Sequence, residues 1–308
     1  MRVALTPRLD AAGGPRLIAD SVTLAARLPD LVVAARRVAM TALHGLHGRR
    51  RAGPGENFWQ YRRYSSGENA AAIDWRRSGR DDHLYVREQE WESAHTIWLW
   101  ADRSPSMAVR SDLAATSKRD RAIILMLALA ETLVRAGERV GILGLTRPMA
   151  SRFVVDRFAE ALIAAERRPA ESLPPASPVA RFSEVVLFGD MLDTAPDIIT
   201  RLTSITGAGA RAHIVQILDP VEETFPFAGR TEFVDPETGA RFTAGRAEAY
   251  RLDYQAALEG HRGELQAYLV RNGHRLLRHH TDRTANEPLL ALGACLRERM
   301  VAYEGGSS

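Results

Sequence analysis

Short apolar segments alternate with helix-like segments between residues 94 and 219, and this alternation constrains the fold more than any other feature of the chain. Short apolar strands that are separated by helices are typical of a parallel sheet covered by helices on both faces. The pattern therefore predicts an α/β fold with a doubly wound, mostly parallel sheet. The strand-like segments are 95–102, 139–145, 184–190 and 211–219, and the helix-like segments are 118–137, 154–168 and 194–207.

The alternation resumes after an interruption in the last third of the chain. Residues 231–244 contain two strand-like pieces around Asp-Pro-Glu-Thr-Gly, which predict a β-hairpin. A long helix over about 246–271, an edge strand over 274–280 and a last helix over 286–303 are expected to follow. The remaining residues, 304–308, have the composition of a frayed tail.

The first 93 residues differ from the rest in composition and in the pattern of apolar residues. A chain of 308 residues is also longer than most single domains. Apolar residues recur near a 3.6-residue period over residues 21–45, which predicts a helix. A basic block rich in aromatic residues follows, and residues 83–93 alternate like a strand. We therefore expect residues 1–93 to form an N-terminal, partly β extension and residues 94–303 to form an α/β domain.

Arginine is concentrated between His47 and Arg80, where the sequence contains eight arginines and three acidic residues. Such a surface suits an acidic partner or a phosphate backbone, although a solvated face explains the same charges. Only Lys118 among the 41 basic residues is a lysine, so the abundance of arginine reflects a bias of the whole chain. Aromatic residues in the block, such as Trp75, are expected to anchor a small core rather than to stack on bases. The candidate partner-binding residues are Arg62, Arg63, Tyr64, Arg76, Arg77 and Arg80.

Composition and motifs exclude several classes of protein. No apolar run approaches the roughly 20 residues that a membrane-spanning helix needs, and the first residues lack the apolar stretch of a signal peptide. The single cysteine, Cys295, cannot form an internal disulfide and argues against a cysteine-rich zinc site. The sequence has no P-loop, no Gly-x-Ser-x-Gly elbow and no His-Glu-x-x-His pair. We therefore expect a soluble, cytoplasmic protein that is not an enzyme.

Polar residues follow two of the predicted strands at the point where each strand ends. Asp102, Ser104 and Ser106 come directly after the first strand, and Asp190 ends a later one, with Asp193 as the less favoured alternative. Ligands of open parallel sheets bind beyond the carboxyl ends of the strands, so these side chains are expected to converge. Carboxylates and hydroxyls suit Mg²⁺, but the same residue types are common in ordinary turns. The loop is thus either a metal site or a polar strand-to-helix turn.

Two motifs in this order resemble a known bacterial family. The stretch GENFWQYRRYSSGENAAAIDWRRSGRDDHLYVREQEWE, residues 55–92, is followed by ADRSPSM, residues 101–107. Together they resemble the domain of unknown function 58 family, in which a basic block precedes a von Willebrand factor A-like domain with an Asp-x-Ser-x-Ser-Met loop. The resemblance extends from about residue 40 to the last helix, and it implies a Rossmann-like α/β fold.

The resemblance also implies a site and a role. Asp102, Ser104 and Ser106 match the first loop of a metal-ion-dependent adhesion-type site, and Asp190 matches its later acidic residue. In such a site a carboxylate of a partner fills the open position of the cation. The resemblance further implies work beside a MoxR-type AAA+ ATPase, in assembling or activating client proteins or in inserting metals into them.

The chain departs from the family pattern at two places. Adhesion-type sites normally also use a threonine from a Gly-Thr loop, and this chain offers only Ser177 in the corresponding stretch. The basic block has Ala72 where an arginine usually precedes Ile-Asp-Trp. The missing threonine puts the occupancy of the site by Mg²⁺ in doubt, so we expect a degenerate site that keeps the shape of the loop.

The sequence thus predicts a protein-interaction module that works with a MoxR-type AAA+ ATPase and its client. Two alternatives stay open. A metal-assisted phosphohydrolase would use Asp102 and Asp190, and a nucleic-acid-binding protein would use the arginine-rich block. His279 and His280 are further metal-ligand candidates, but neighbours on a strand point to opposite faces, so at most one of them can join a given site.

Overall fold

The computed structural model describes residues 6–8, 17–19, 24–47, 60–64, 73, 75–80, 83–88 and 95–304. The chain divides into two compact units, one formed by Met1–Gly48 and His95–Ser308 and the other by Arg49–Ala94. The strands in the described residues are β1 (Thr6–Arg8), β2 (Leu17–Ala19), β3 (Gln60–Arg63), β4 (Tyr85–Glu88), β5 (Thr96–Ala101), β6 (Val109–Ser111), β7 (Arg139–Ile142), β8 (Glu184–Gly189), β9 (Arg211–Leu218), β10 (Thr231–Val234), β11 (Arg241–Ala244) and β12 (Arg275–His280). The helices are α1 (Leu24–His47), α2 (Trp75–Ser78), α3 (Lys118–Arg135), α4 (Val154–Ala165), α5 (Ala195–Thr206), α6 (Pro220–Thr224), α7 (Arg251–Arg271) and α8 (Asn286–Glu304).

A five-stranded parallel sheet forms the centre of the larger unit, in the order β12-β9-β8-β5-β7. β5 is the first of these strands in the chain, and β7 pairs with one side of it while β8 pairs with the other. The direction of winding therefore reverses at β5, which is where ligands bind in doubly wound sheets. The predicted α/β fold with a mostly parallel sheet is confirmed, and the predicted edge strand pairs with β9 as β12.

Helices cover both faces of the sheet. Ile97 and Leu99 of β5 belong to the apolar core shared with α1, α3, α4 and α8. Trp98 and Trp100 point to the opposite face and pack in a second core with α5 and α7. This alternation follows the two-residue period of a strand, and it gives each face of the sheet its own core. None of the helices in the described ranges is long and apolar enough to cross a membrane.

Helix α1 lies in the larger unit and packs against α3. Its buried residues recur every three or four positions and form one apolar stripe: Leu24, Leu28, Leu31, Ala35 and Ala39. The helix predicted over residues 21–45 is thus present as Leu24–His47. The division drawn from the sequence groups this helix with the basic block, whereas the buried stripe joins it to the core of the α/β unit.

An antiparallel sheet in the order β1-β10-β11 contains the hairpin predicted over residues 231–244. The turn between β10 and β11 is organised by Asp235. Its Oδ1 accepts a hydrogen bond from the backbone N–H of Glu237 at 2.9 Å, and its Oδ2 accepts one from the hydroxyl of Thr238 at 2.6 Å. Gly239 has a φ of +71°, a left-handed conformation that glycine adopts without steric cost. Glu237 is therefore presented by a turn that is hydrogen-bonded on both sides of it.

The smaller unit contains β3, β4 and α2 in its described residues. β3 and β4 pair in antiparallel fashion, with Arg62 opposite Val86, which agrees with a partly β extension. Trp75 is 65% exposed, so the prediction that it anchors a small core is wrong. It begins a single helical turn in which Ser78 is buried, and Ile73 just before the turn is buried as well. The indole therefore lies on the outward side of this turn.

Candidate functional site

The loop that follows β5 carries three of the predicted site residues. Asp102 is buried, and its Oδ1 accepts a hydrogen bond from the backbone N–H of Ser104 at 2.8 Å. Aspartate commonly bonds the backbone two residues on in this way, which turns the chain sharply after a strand. A turn of 3₁₀ helix, Pro105–Ala108, follows. Ser104 and Ser106 are buried too, and their hydroxyl oxygens lie 3.2 Å apart. One carboxylate and two hydroxyls are thus gathered in a single tight loop.

Asp190 meets this loop from the end of β8. The hydroxyl of Ser106 donates a hydrogen bond to Asp190 Oδ2 at 3.0 Å, although the two residues are 84 positions apart. The backbone carbonyl of Asp190 accepts a hydrogen bond from the side-chain amide of Gln216 at 3.0 Å, which anchors the residue to β9. The structure therefore brings the four predicted residues together, and Asp190 rather than Asp193 supplies the carboxylate bonded to Ser106.

The ends of β5 and β8 approach each other closely because of a glycine. The backbone N–H of Asp102 donates a hydrogen bond to the carbonyl of Phe188 at 2.8 Å, which extends the ladder between the two strands. A Cβ atom at the next residue, Gly189, would lie 3.0 Å from the Cβ atom of Asp102. A side chain at this position would crowd the Asp102 side chain, so glycine allows the close approach without a shift.

Lys118 is part of the same site, although no motif in the sequence points to it. Its Nζ donates hydrogen bonds to Asp190 Oδ2 at 3.0 Å and to Glu222 Oε1 at 2.5 Å. The residue is only 1% exposed. Burial lowers the pKa of Lys118, but the charges of Asp190 and Glu222 outweigh burial and raise the pKa above its ordinary value. The ammonium group is therefore positively charged although it is buried.

Glu222 reaches this ammonium from the first turn of α6. Its second oxygen, Oε2, accepts a hydrogen bond from the backbone N–H of Asp219 at 2.8 Å, and the two residues form a capping box at the start of the helix. Asp219 in turn accepts hydrogen bonds from the backbone N–H and the hydroxyl of Ser111. Burial raises the pKa of Glu222, and the nearby charge of Lys118 partly opposes this rise.

Glu237 adds a carboxylate from the β10–β11 turn. Its Oε1 accepts a hydrogen bond from the backbone N–H of Ser106 at 2.9 Å, across 131 positions of the chain. This N–H lies in the first turn of the 3₁₀ helix, where backbone N–H groups have no partner within the helix. The loop therefore already binds one carboxylate from elsewhere in the same chain.

The surroundings of Asp102 disfavour its negative charge. Burial raises the pKa of Asp102 well above its ordinary value, and the negative charge of Asp190 raises it further. Hydrogen bonds from Ser104 and the charge of Lys118 act in the opposite direction and are weaker. Burial and the charge of Asp190 thus outweigh the groups that stabilise the negative charge of Asp102.

Three arginines surround a shallow pocket of about 240 Å³ beside the loop. Arg103, Arg119 and Arg168 line the pocket together with Glu166. The carboxylate of Glu166 accepts hydrogen bonds from the backbone N–H groups of Leu24 and Ala25 at 2.5 and 3.3 Å, so it caps the N-terminus of α1. Burial lowers the pKa of Arg103, and the like charge of Arg119 contributes to the lowering. This rim, which we call the arginine rim, is positively charged overall.

The surroundings of the predicted ligands do not fit a tightly held divalent cation. Two carboxylates and two hydroxyls would suffice by number, because Mg²⁺ usually keeps several waters among its six oxygen ligands. The described part of the chain contains no cluster of three or more His, Cys, Asp or Glu side chains arranged to hold a metal. The Asp190 oxygen that faces Ser106 already accepts hydrogen bonds from the Ser106 hydroxyl and the Lys118 ammonium. A divalent cation on that oxygen would sit beside a fixed positive charge.

The other residues named as metal candidates have different surroundings. Ser177, the substitute for the missing threonine, is exposed, and its backbone N–H bonds to the carbonyl of Pro175. His279 is buried against Arg121, with ring and guanidinium nitrogens 3.2 Å apart, and burial and this charge lower its pKa to about 3. His280 contacts the carboxylate of Glu223 at 3.3 Å. The structure brings none of these three residues into hydrogen bonding with the Asp102–Ser106 loop among the bonds described.

The candidate partner-binding residues of the basic block belong to the smaller unit. Arg76 and Arg80 are exposed, as a partner-binding role requires. The backbone N–H of Tyr64 donates a hydrogen bond to the carbonyl of Leu84 at 2.8 Å, and its ring is half-buried. The side chains of Arg62, Arg63 and Arg77 lie outside the described part of the structure. The role of this block in binding a partner stays a prediction.

Comparison with known proteins identifies relatives over most of the chain. A family model described as "Protein of unknown function DUF58" matches residues 60–264. The proteins Mb1516 of Mycobacterium bovis and Rv1480 of Mycobacterium tuberculosis, both named as uncharacterized, are each 25% identical over 291 residues. These matches cover 86% of this chain and 87% of each relative.

Two solved structures are similar at lower identity. The conserved hypothetical protein BatB of Bacteroides thetaiotaomicron is 14% identical, with a TM-score of 0.35 over 67% of this chain and 100% of that one. An aerotolerance-related membrane protein of Bacteroides fragilis, which carries multiple mutations to serine, is also 14% identical. Its TM-score is 0.33 over 65% of this chain and 98% of that one.

Proposed function

This chain belongs to the DUF58 family of proteins of unknown function, and we propose that it is a non-enzymatic protein-interaction module that binds an acidic segment of a partner at the Asp102–Ser106 loop. The loop lies at the carboxyl end of β5, where the winding of the sheet reverses. Ligand sites of doubly wound sheets are found at this position.

The hydrogen bond between Ser106 and Glu237 carries the proposal. A backbone N–H at the start of a helical turn can bind an anion. Here the N–H of Ser106, which we call the docking seat, is bound by a carboxylate from the hairpin at 2.9 Å. A glutamate or aspartate of a partner has the same chemistry as Glu237. The seat on Ser106 is therefore suited to an acidic side chain that a partner presents from a turn or a loop.

The arginine rim supports the same kind of partner. Arg103, Arg119 and Arg168 face a pocket whose one acidic lining residue, Glu166, is bonded to the first N–H groups of α1. Positive side chains around a docking seat attract a partner of opposite charge and suppress partners of like charge. An acidic surface with one protruding carboxylate would match both features.

For the partner we propose a MoxR-type AAA+ ATPase and its client protein, in the cytoplasm. The support is the resemblance of residues 55–92 and 101–107 to the family pattern, together with the charge of the rim. The module would recruit the ATPase to the client for assembly, activation or metal insertion.

Reversal of one rim charge tests this function. Arg168 is exposed, so Arg168→Glu is expected to leave the fold intact and to weaken binding of the ATPase by roughly tenfold or more, through repulsion of its acidic surface. Biolayer interferometry with the purified MoxR-type ATPase of the same genome measures the change.

The matched control is Arg271→Glu. Arg271 is an exposed arginine at the end of α7, close to the start of β12 and hence at the amino edge of the sheet, away from the loop. Its reversal is expected to leave the affinity unchanged. Equal weakening by both variants would indicate a non-specific charge effect, and equal binding of Arg168→Glu and the unchanged protein would contradict docking at this rim.

A further inference from the structure

We infer that the ammonium group of Lys118 takes the place of a divalent cation at this site and holds the Asp102–Ser106 loop in shape without a metal ion. Such an internal counter-ion would order the loop whichever partner binds there. The inference thus goes beyond the proposed docking function and can be tested without a partner.

The ammonium links the same groups that a cation would link. It donates to Asp190 Oδ2 at 3.0 Å, and that oxygen also accepts the hydroxyl of Ser106 at 3.0 Å. The Ser106 oxygen lies 3.2 Å from the hydroxyl of Ser104. A continuous chain of hydrogen bonds therefore runs from the ammonium through Asp190 to both serines of the loop. A second carboxylate, that of Glu222, accepts a hydrogen bond from the ammonium at 2.5 Å.

The backbone that carries Lys118 is fixed. Lys118 is the first residue of α3, and the hydroxyl of Ser117 caps this helix by accepting the N–H of Asp120 at 3.2 Å. The helix itself is buried between the sheet and α1, with Ile123, Met126 and Leu127 fully enclosed. The ammonium is therefore carried by a helix whose position is fixed by the core.

The choice of residue also points to a specific role. The chain has 41 basic residues, and Lys118 is the one lysine among them. An ammonium is a compact point charge with three donors, whereas guanidinium is a planar fork that needs more room. Arginine is used at every other basic position of the sequence, whereas the compact ammonium of Lys118 donates hydrogen bonds to Asp190 and Glu222. The single lysine of the chain therefore lies at the centre of the site.

A divalent cation would compete with this ammonium. Asp190 Oδ2 already accepts two hydrogen bonds, so a metal bound to it would lie close to the positive charge of Lys118. The threonine that adhesion-type sites normally use is also missing from the sequence, and its substitute Ser177 is exposed. The charge of Lys118 and the missing ligand therefore disfavour a metal for independent reasons.

Binding of Mn²⁺ to the full-length protein is the direct test. Isothermal titration with MnCl₂ and thermal unfolding in MgCl₂ or in chelator are expected to give no saturable binding and the same melting temperature. Saturable binding of one Mn²⁺ that Asp190→Asn abolishes, or a melting temperature that rises in MgCl₂ and falls in chelator, would overturn the inference. These measurements need no change at Lys118 and so do not depend on how a Lys118 variant folds.

Lys118→Met provides the converse test. Removal of the ammonium leaves Asp102, Asp190 and Glu222 without a buried counter-ion, so the variant is expected to gain saturable binding of one Mn²⁺, which the unchanged protein lacks. The matched control is Lys118→Met with Asp190→Asn, which lacks the central carboxylate and should show no gain. A folded Lys118→Met protein that binds Mn²⁺ no better than the unchanged protein would also overturn the inference.

Discussion

Replacement of Lys118 by methionine is expected to lower the free energy of unfolding by about 3 to 5 kcal/mol at neutral pH, because removal of one partner leaves buried charges uncompensated. Methionine keeps most of the volume and apolar stem of the lysine, so the loss isolates the ammonium group. Asp190 and Glu222 would each lose a hydrogen bond and their common counter-ion. Urea denaturation followed by circular dichroism measures the loss.

The loss is expected to shrink as the pH falls. Burial raises the pKa of Glu222, and the charge of Lys118 opposes this rise, so removal of the lysine raises the pKa further. An acid whose pKa is higher in the folded than in the unfolded protein stabilises the fold below its unfolded pKa, and this stability is lost as the pH rises through the folded pKa. Lys118→Met should therefore come closest to the unchanged protein at acidic pH.

A second substitution provides the control for this prediction. Adding Glu222→Gln to Lys118→Met removes one of the two uncompensated charges, so the double variant should recover part of the lost stability at neutral pH. Stability of Lys118→Met equal to that of the unchanged protein at neutral pH would show that the ammonium does not compensate these carboxylates.

Gly189→Ala is expected to destabilise the fold by about 1 to 3 kcal/mol and to disturb the site at the same time. A Cβ atom at this position would lie 3.0 Å from the Cβ atom of Asp102 and 3.3 Å from the terminal methyl of Met191. Either the end of β5 or the loop after β8 must shift to make room, and both carry site residues. We therefore expect weaker binding of the partner together with a lower melting temperature, measured by interferometry and calorimetry.

Gly260→Ala is the matched control for this substitution. Gly260 lies inside α7, and a Cβ atom there would meet nothing within 4 Å. Alanine is the better helix former, so this variant should be more stable by up to about 1 kcal/mol and should bind the partner normally. Equal stability and binding of Gly189→Ala and the unchanged protein would contradict the close approach of the two strand ends.

The fold and one half of the site follow from local patterns in the sequence. Apolar strands that alternate with helices predict a parallel sheet, and parallel strands place their carboxyl ends at one edge. Asp102 and Asp190 each end such a strand, so their convergence can be predicted without knowing the strand order in full. The serines follow Asp102 within one turn, and a short turn keeps them beside it.

The other half of the site depends on contacts that no local pattern carries. Lys118 enters from the start of α3, Glu222 from a capping box after β9, and Glu237 from a hairpin 131 positions from Ser106. Each has an ordinary local role as a helix residue, a cap or a turn residue, and its place in the site depends on tertiary packing. The one available signal was compositional, since Lys118 is the chain's single lysine.

Trp75 is a residue for which the prediction from residue type was wrong. A large aromatic residue in a basic segment predicts a core anchor, because aromatic side chains bury much surface. Here the indole is 65% exposed, whereas Ile73 two residues earlier is buried. Residue type alone therefore does not fix which member of a short segment faces inward when the segment is one helical turn.

The affinity of a Glu237→Ala protein for the MoxR-type ATPase tests the docking seat most directly. Loss of the internal carboxylate frees the N–H of Ser106, so the partner no longer has to displace it, and binding should tighten roughly three- to tenfold. Glu232→Ala, in β10 of the same hairpin, removes an equal charge outside the seat and should leave the affinity unchanged. Binding by Glu237→Ala that is unchanged or weaker would contradict a carboxylate-binding seat at Ser106.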